Sequence, residues 1–405
     1  MTASLCFLWA MLQAAAFSTT PPPSDAPPPP SPMGAVTRLH FAMGQGVSIA
    51  TAEAEGEEPP SEKWALRLRP MAQLRNVTSF AGATTNALSV GAVRLLLEGR
   101  AFDKRLVFSV LMGLSTDEVD GGSGLLDAWL SWKFGRDATL RVGQQRVIYD
   151  MISAVVRSGY LGITRERFAS EFGMSRDVGA ALYSEDFLGM GGLLAYRVGV
   201  YGGQGRNRAE AKRFGLLYMA RLTLRPFGYF EDTVEGDVER LERVRLAVGL
   251  SGAYQNHVAR TGGQSGEGFD SFAFPAMHVY YANADIMLKW RGLYVAGQYT
   301  RRASTKAFVE NGSQRIWGRS GEGYVVKAAY MLTSWLEGAG RWGGQFGARR
   351  TEPGLAAFPK HEFAVGLNAY CIGHALKVQA EYAARFSEAK VLYEHWLRLQ
   401  MQVVF

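Results

Sequence analysis

The sequence predicts an all-β chain that closes into a transmembrane antiparallel β-barrel of 16 strands. Apolar and polar residues alternate with period two along most of the 405 residues, a pattern typical of strands with one dry and one wet face. The composition agrees, because 47 glycines accompany 22 Phe, 17 Tyr and 9 Trp. No run of about 20 apolar residues occurs, so no helix is expected to span a bilayer.

The first 60 residues differ in composition from the rest. Residues 1–17 hold a short apolar run that ends in three alanines, which predicts a signal peptide for export. Residues 18–60 are predicted to be a proline-rich spacer and N-terminal segment, because eight of the 15 prolines lie between positions 18 and 32. The barrel is therefore predicted over residues 61–405. Removal of Cys6 with the signal would leave Cys371 and no intrachain disulfide.

The alternation is clearest at the end of the chain. The odd positions from Leu397 to Phe405 are apolar, and Arg398, Gln400 and Gln402 alternate with them. A helical stripe with a period of 3.6 residues does not fit this segment. Sixteen segments of this kind are predicted to be strands: 63–79, 88–100, 105–116, 124–135, 138–149, 176–186, 193–203, 214–226, 243–256, 276–291, 293–304, 321–333, 335–347, 361–373, 376–388 and 393–405.

The connections between these segments fall into two classes. Most of those on one rim are a few residues long, and many of those on the other rim are much longer, as in outer-membrane barrels. The longest is 150–175, the third long loop, which we expect to fold inward and narrow the pore. The alternative is a solvated outer lid. The acidic segment 226–242 is unexpected, because it lies on the rim of short turns.

The strand faces assigned to the lumen are strongly basic. They carry 19 Lys and Arg against 7 Asp and Glu, whereas the whole chain has 44 against 37. Cationic walls attract anions, and guanidinium groups suit phosphate and carboxylate. The alternative is that any wet lumen holds charges that pair with one another. The residues predicted to line an anion path are Arg67, Arg69, Arg75, Arg141, Arg197, Arg221, Arg243, Arg245, Lys327, Lys377 and Arg398, and those predicted at the constriction loop are Arg157, Arg165, Arg167 and Arg176.

A soluble β-sandwich or lipocalin-like fold is the main alternative to a membrane barrel. Sixteen long strands exceed a sandwich, which would also have to bury the apolar faces. Those faces carry aromatic residues near strand ends, as an interfacial girdle does, namely Trp64, Tyr324, Trp342 and Tyr393. The final Phe405 on an alternating strand is similar to the assembly signal of outer-membrane barrels.

Several segments resemble the phosphate-selective (O/P-type) porins of Gram-negative outer membranes. The resemblance lies in residues 140–150, 165–183 and 193–207, with 44–51 and Phe405 in support. It implies a homotrimer of barrels in outer-membrane lipid, in which small anions such as phosphate pass an arginine ladder and a lysine-bearing constriction. The sequence departs from the family where Arg146-Val147 replaces a common Lys-Pro, and because the loop 150–175 contains no lysine.

The function predicted from these observations is passive diffusion of small anions, with phosphate or polyphosphate as candidate solutes. The alternatives are a plugged structural or adhesion barrel and a general, non-selective porin. An outer-membrane lipase is disfavoured, since none of the five histidines from His257 to His395 has a Ser two residues later. No enzyme activity, cofactor or metal is expected. Nucleic-acid binding is disfavoured because the cations are spread over every strand.

Overall fold

The computed structural model describes residues 36–52, 64–80, 82–101, 103–116, 118–119, 123–165, 172–207, 215–258, 274–346, 361–386 and 392–405. The predicted signal peptide and the proline-rich run lie outside these residues. The described strands are β1 (Val36–Ala42), β2 (Gly46–Ala52), β3 (Ala65–Ser79), β4 (Thr85–Ala101), β5 (Asp103–Gly113), β6 (Leu125–Lys133), β7 (Thr139–Arg146), β8 (Arg176–Ser184), β9 (Leu194–Tyr201), β10 (Leu217–Leu224), β11 (Arg245–Gln255), β12 (Val279–Trp290), β13 (Leu293–Ser304), β14 (Phe308–Asn311), β15 (Gln314–Trp317), β16 (Gly321–Met331), β17 (Leu336–Phe346), β18 (His361–Ile372), β19 (Leu376–Phe386) and β20 (Leu392–Val404).

Sixteen of these strands form a closed antiparallel barrel. Each of β3 to β12 pairs with the strand that follows it, β13 pairs with β16, and β16 to β20 continue in order. The last strand returns to the first, with Gln400 opposite Arg75. The predicted 16-strand barrel is confirmed, and each predicted segment overlaps one of the strands. Of the four other strands, β14 and β15 form a separate hairpin within the connection that follows β13.

A hairpin of β1 and β2 precedes the barrel and was not predicted. Its turn uses Gly44 and Gly46, both at positive φ, a conformation that glycine adopts without steric cost. Strand β2 pairs with the first residues of β3, from Ala65 to Leu68. The hairpin therefore extends the sheet on the rim where the chain enters the barrel.

The two faces of the barrel wall differ as the alternation predicts. On β20, Leu397 and Leu399 are 45% and 48% exposed, whereas Arg398, Gln400 and Gln402 are at most 7% exposed. Apolar residues outside and charged residues inside reverse the arrangement of a water-soluble domain. The outward face is suited to hydrocarbon, and the inward face is suited to water or to polar partners.

Aromatic side chains are exposed near both rims. On the rim of short turns, Trp290 ends β12 and Trp335 precedes β17, and both are exposed. On the opposite rim, Tyr218, Tyr254 and Tyr280 stand side by side, with ring centroids 6.4 and 5.1 Å apart. Two such belts are the expected positions of a membrane–water interface.

The connections confirm the predicted asymmetry of the two rims. Residues 291–292, 332–335 and 373–375 join neighbouring strands on one rim, whereas the described strands leave residues 147–175 between β7 and β8 on the other. The connection from β10 to β11, residues 225–244, is the long exception on the short rim. Among the described residues, no helix is both long and apolar enough to cross a bilayer.

Candidate functional site

The long loop, defined here as residues 147–175, begins with a capped helical turn. Asp150 precedes the four-residue helix Met151–Ala154, and its carboxylate accepts a hydrogen bond of 2.6 Å from the Ser153 amide. The first free amide of the turn, that of Met151, donates to Asp285 on β12 at 3.1 Å. Burial raises the pKa of Asp150, although the Ser153 bond opposes that effect. This turn is therefore held against an inward-facing carboxylate of the wall.

Farther along, the long loop contacts inward-facing side chains on several strands. Arg157 donates to the Gln73 side chain of β3 at 3.0 Å. The Leu161 carbonyl accepts from Asn368 of β18 at 3.1 Å and from Gln379 of β19 at 3.0 Å. These three strands belong to one side of the wall, because only β20 separates β19 from β3. The Met151 contact on β12 lies elsewhere around the wall, so the described part of the loop has contacts on more than one side of the lumen.

Two of the cavities beside the loop share the lining residues Ile148, Ala154 and Thr233. The first, here called the arginine cavity, has a volume of about 290 Å³, and its charged lining residues are Arg69, Arg94, Arg141, Arg146, Arg157, Glu98 and Asp127. The second, here called the balanced cavity, has a volume of about 270 Å³, and its charged lining residues are Arg197, Arg221, Arg225, Glu185, Glu231, Asp232 and Asp285.

Three of the five arginines of the arginine cavity, Arg69, Arg141 and Arg146, pair with no carboxylate in the described part of the chain, whereas Arg94 and Arg157 lie beside Glu118. The Arg141 guanidinium stacks 3.8 Å from the Trp129 ring centroid and donates to the Tyr183 hydroxyl at 3.0 Å. Arg146 donates to the Ser153 and Val155 carbonyls at 3.2 and 2.6 Å. Aromatic faces and backbone carbonyls fix a guanidinium without removing its formal charge.

In the balanced cavity, carboxylates hold the cations. Arg221 makes two hydrogen bonds to Asp285, of 2.7 and 2.8 Å, and both side chains are buried. Arg225 donates to Asp232 at 2.9 Å. Burial raises the pKa of Asp232, and the attraction of Arg225 opposes that effect. The formal charges of this cavity therefore nearly cancel.

The residues predicted to line an anion path are held in different ways. Carboxylates pair with four of them: Arg197 with Glu185, Arg221 with Asp285, Lys327 with Glu235 and Arg398 with Glu381. Backbone carbonyls accept from three others: Ile163 from Arg75, Phe227 from Arg245 and Tyr160 from Lys377. Arg69 and Arg141 line the arginine cavity, whereas Arg67 and Arg243 are exposed and Arg243 precedes β11.

The arginines predicted at the constriction loop also lie in different environments and have different partners. Arg157 lines the arginine cavity, and burial lowers its pKa against the attraction of Glu118. Arg165 bonds the Tyr160 hydroxyl within the loop. Arg176 makes two bonds to Asp127, of 2.9 and 3.0 Å. Arg167 lies outside the described residues.

Sequence reasoning missed the carboxylates that come from connections. Glu118, between β5 and β6, accepts from Arg94 at 2.7 Å, and Glu235, between β10 and β11, pairs with Lys327. Alternation along strands cannot find such partners, because they belong to no strand. The available signal was the acidic composition of 226–242 on a rim of short turns. No group of three metal-ligating side chains occurs in the described part of the chain.

Comparison with solved structures finds that the fold of this barrel is similar to the folds of outer-membrane porins and channels. OmpF of Salmonella typhi, in complex with daunomycin, is 14% identical with a TM-score of 0.59, and the match covers 85% of this chain and 98% of OmpF. The channel DcaP of Acinetobacter baumannii is 11% identical, with a TM-score of 0.52 and 84% and 97% coverage. OmpT of Vibrio cholerae, in its trimer form, is 13% identical, with a TM-score of 0.50 and 84% and 99% coverage.

These similarities establish the fold alone, because the identities are low. No family model matches the sequence, and no curated protein matches it. The chain therefore has the fold of Gram-negative outer-membrane porins, and its selectivity has to be argued from its own residues.

Proposed function

We propose that this protein is a passive porin of a Gram-negative outer membrane that favours small anionic solutes. Solutes diffuse through the lumen without a chemical step, and the charge of the arginine cavity sets the preference. The outward apolar face and the aromatic belts support a membrane location. Phosphate-like and carboxylate-bearing solutes are the class that guanidinium groups suit best.

The observation that carries this proposal is the environment of Arg141. Its guanidinium lies between the Trp129 ring, at 3.8 Å, and the Tyr183 ring, whose centroid is 5.2 Å away. Within the described part of the chain it contacts no carboxylate. Arg69 lines the same cavity and is half-buried. A cavity with five arginines and two acidic residues raises the local concentration of anions.

The narrowing of the pore is part of the same proposal. Backbone groups of the long loop bond wall residues on β12, β18 and β19, so the loop reduces the free cross-section between these strands. Arg157 is on this loop and lines the arginine cavity. A permeating anion would therefore pass cations on both the wall and the loop.

Reversal potentials in planar bilayers test the proposal directly. With potassium chloride at different concentrations on the two sides, the sign of the reversal potential should correspond to chloride permeating faster than potassium. A potential near zero would indicate a general porin, and the opposite sign would reject the charge argument. Addition of phosphate should then reduce the chloride current if phosphate binds in the arginine cavity. If phosphate does not change the chloride current, the channel passes anions but does not prefer phosphate.

A plugged structural barrel is the second candidate, because the lumen contains many buried contacts with the long loop. Gln402, for example, is 0% exposed and donates to the Ser158 carbonyl at 3.1 Å. A reconstituted protein that inserts into bilayers without conductance would favour this candidate over a porin.

A homotrimer is proposed by analogy with the trimer form of the similar Vibrio cholerae protein. Exposed apolar residues on the outward face allow packing between barrels as well as contact with lipid. Native mass spectrometry of the detergent-solubilised protein should give three chains per particle. A single-chain mass under conditions that preserve conductance would reject the trimer.

A further inference from the structure

The connection from β10 to β11 is far longer than the distance it has to span. These strands are direct neighbours, with Leu224 opposite Val248. The similarly paired β12 and β13 are joined by residues 291–292 alone. Antiparallel neighbours need only a short turn, so most of residues 225–244, here called the inserted segment, is not required for chain connection.

The inserted segment bonds to the long loop through its backbone. The Val156 amide donates to the Thr233 carbonyl at 2.8 Å, and the Glu235 amide donates to the Gly159 carbonyl at 2.9 Å. The approach is close, since a Cβ at position 159 would lie 3.0 Å from the Cα of Val234. A segment from the short-turn rim and a loop from the opposite rim therefore meet between the walls of the barrel.

The same segment holds cations on the wall formed by β12, β13 and β16, here called the β12–β16 wall. One carboxylate oxygen of Glu235 pairs with Lys327, and the other accepts from the Leu161 amide at 2.7 Å. Lys289 donates to the Glu231 and Val234 carbonyls at 2.9 and 2.8 Å. Glu235 is 2% exposed, and a carboxylate buried to this degree needs such partners.

The inserted segment also sets the charge of one cavity. Glu231 and Asp232 line the balanced cavity, and Asp232 bonds Arg225. Neither acidic residue lines the arginine cavity, whose only lining residue from this segment is Thr233. Two of the six acidic residues of the segment therefore lie beside the balanced cavity.

We propose that the inserted segment is an internal selectivity element, which covers the cationic β12–β16 wall and confines anions to the arginine cavity. Glu235 is its specificity-determining residue, because it joins Lys327 to the long loop. The part of this proposal that concerns anion preference rests on the proposed porin function. The position of the segment can be tested without any transport measurement.

Disulfide cross-linking tests the position. A Cβ at position 159 would lie 3.2 Å from the Cβ of Val234, close to the roughly 3.5–4.5 Å of disulfides. The variant Gly159→Cys/Val234→Cys, with Cys371→Ser, should form a cross-link that peptide mass spectrometry identifies. The matched control Gly159→Cys/Glu242→Cys should not, since Glu242 is exposed. Absence of the first cross-link in a folded barrel would overturn the proposal.

Single-channel recording tests the consequence. Replacement of residues 229–242 by two glycines should raise the conductance about twofold and increase the anion preference, because the β12–β16 wall becomes part of the aqueous path. Glu235→Gln should raise the anion preference without changing the conductance. Glu235→Gln/Lys327→Gln should return the anion preference towards the wild-type value. Glu242→Gln should change neither the conductance nor the anion preference. A replacement variant with unchanged conductance would overturn the proposal.

The two proposals fail in different ways. If the wild-type protein shows no anion preference but the replacement raises conductance and the cross-link forms, the anion porin is wrong and the covering role of the segment stands. If anion preference is present but neither the replacement nor Glu235→Gln changes the current, the role of the segment is wrong and the porin stands.

Discussion

The arginine cavity and the balanced cavity have nearly the same volume, about 290 and 270 Å³, yet they hold their cations by different means. Arg141 lies against aromatic rings, whereas Arg221 makes two bonds to Asp285. Both arrangements fix a guanidinium in place. Only the second cancels its charge, so the number of arginines in a barrel does not by itself give the field that an anion meets.

The difference also separates stability from selectivity. Removing one side chain of a buried ion pair is costly in stability, because the remaining buried charge then has no partner. A guanidinium over an aromatic ring leaves no such group behind when it is replaced. We therefore expect substitutions in the balanced cavity to weaken the barrel, and substitutions in the arginine cavity to change which ions pass.

The largest expected effect is on stability, from Arg221→Met. Loss of this side chain leaves the buried Asp285 carboxylate without its cation, at a cost of about 3 kcal/mol in the free energy of unfolding. Urea unfolding in lipid vesicles measures it. The matched variant Arg141→Met should cost about 1 kcal/mol or less, and Arg221→Met/Asp285→Leu should recover part of the loss. Equal costs for the two single variants would remove the distinction between the cavities.

The second effect is on selectivity, from Arg69→Gln/Arg141→Gln. A unit charge about 5 Å from the ion path contributes roughly 0.8 kcal/mol in a water-like dielectric, so two such losses should lower the anion-to-cation permeability ratio about 15-fold. Reversal potentials under a salt gradient measure this ratio. Arg136→Gln serves as the control, since Arg136 is exposed on a short turn beside Asp137. A ratio unchanged in the double variant would contradict the assignment of the arginine cavity.

The third effect depends on pH and acts on the balanced cavity. Burial raises the pKa of Asp232 above its usual 3.8, so this group binds a proton earlier than an exposed aspartate as pH falls. Protonation removes one negative charge beside Arg225, and the anion preference should rise by up to about fourfold. Reversal potentials recorded from neutral to acidic pH measure the change. Asp232→Asn should show the raised preference at neutral pH and a smaller response to acid, whereas an unchanged response would exclude Asp232.

The wall of this barrel could be predicted from the sequence, because each strand carries its own evidence. The alternation of Leu397 and Leu399 with Arg398 and Gln400 fixes which face meets lipid, and a slip of one residue would expose the charges to hydrocarbon. The 16 strands and their order follow from such local patterns and from the lengths of the connections.

The interior could be predicted only in part, because its contacts join residues far apart in the chain. Glu235 and Lys327 are 92 positions apart, and no local pattern relates them. A charge count over the strand faces treats Lys327 as an unneutralised cation, because its partner Glu235 lies in the connection between β10 and β11 and not on a strand. The hairpin of β1 and β2 was missed for a related reason, since its pairing with β3 stabilises a segment that has weak alternation of its own.

The smallest expected effect comes from Tyr183, which stands between Arg141 and Arg197 with ring centroids 5.2 and 4.0 Å from the two guanidinium carbons. Tyr183→Leu removes the aromatic face but neither charge, so the permeability ratio should change by less than about twofold, and the free energy of unfolding should fall by about 1 kcal/mol. Tyr183→Phe, which keeps the ring, separates stacking from the hydroxyl bond to Arg141. If Tyr183→Leu lowered the ratio as much as Arg69→Gln/Arg141→Gln does, the orientation of the guanidinium groups would matter more than their charge, because both charges remain in that variant.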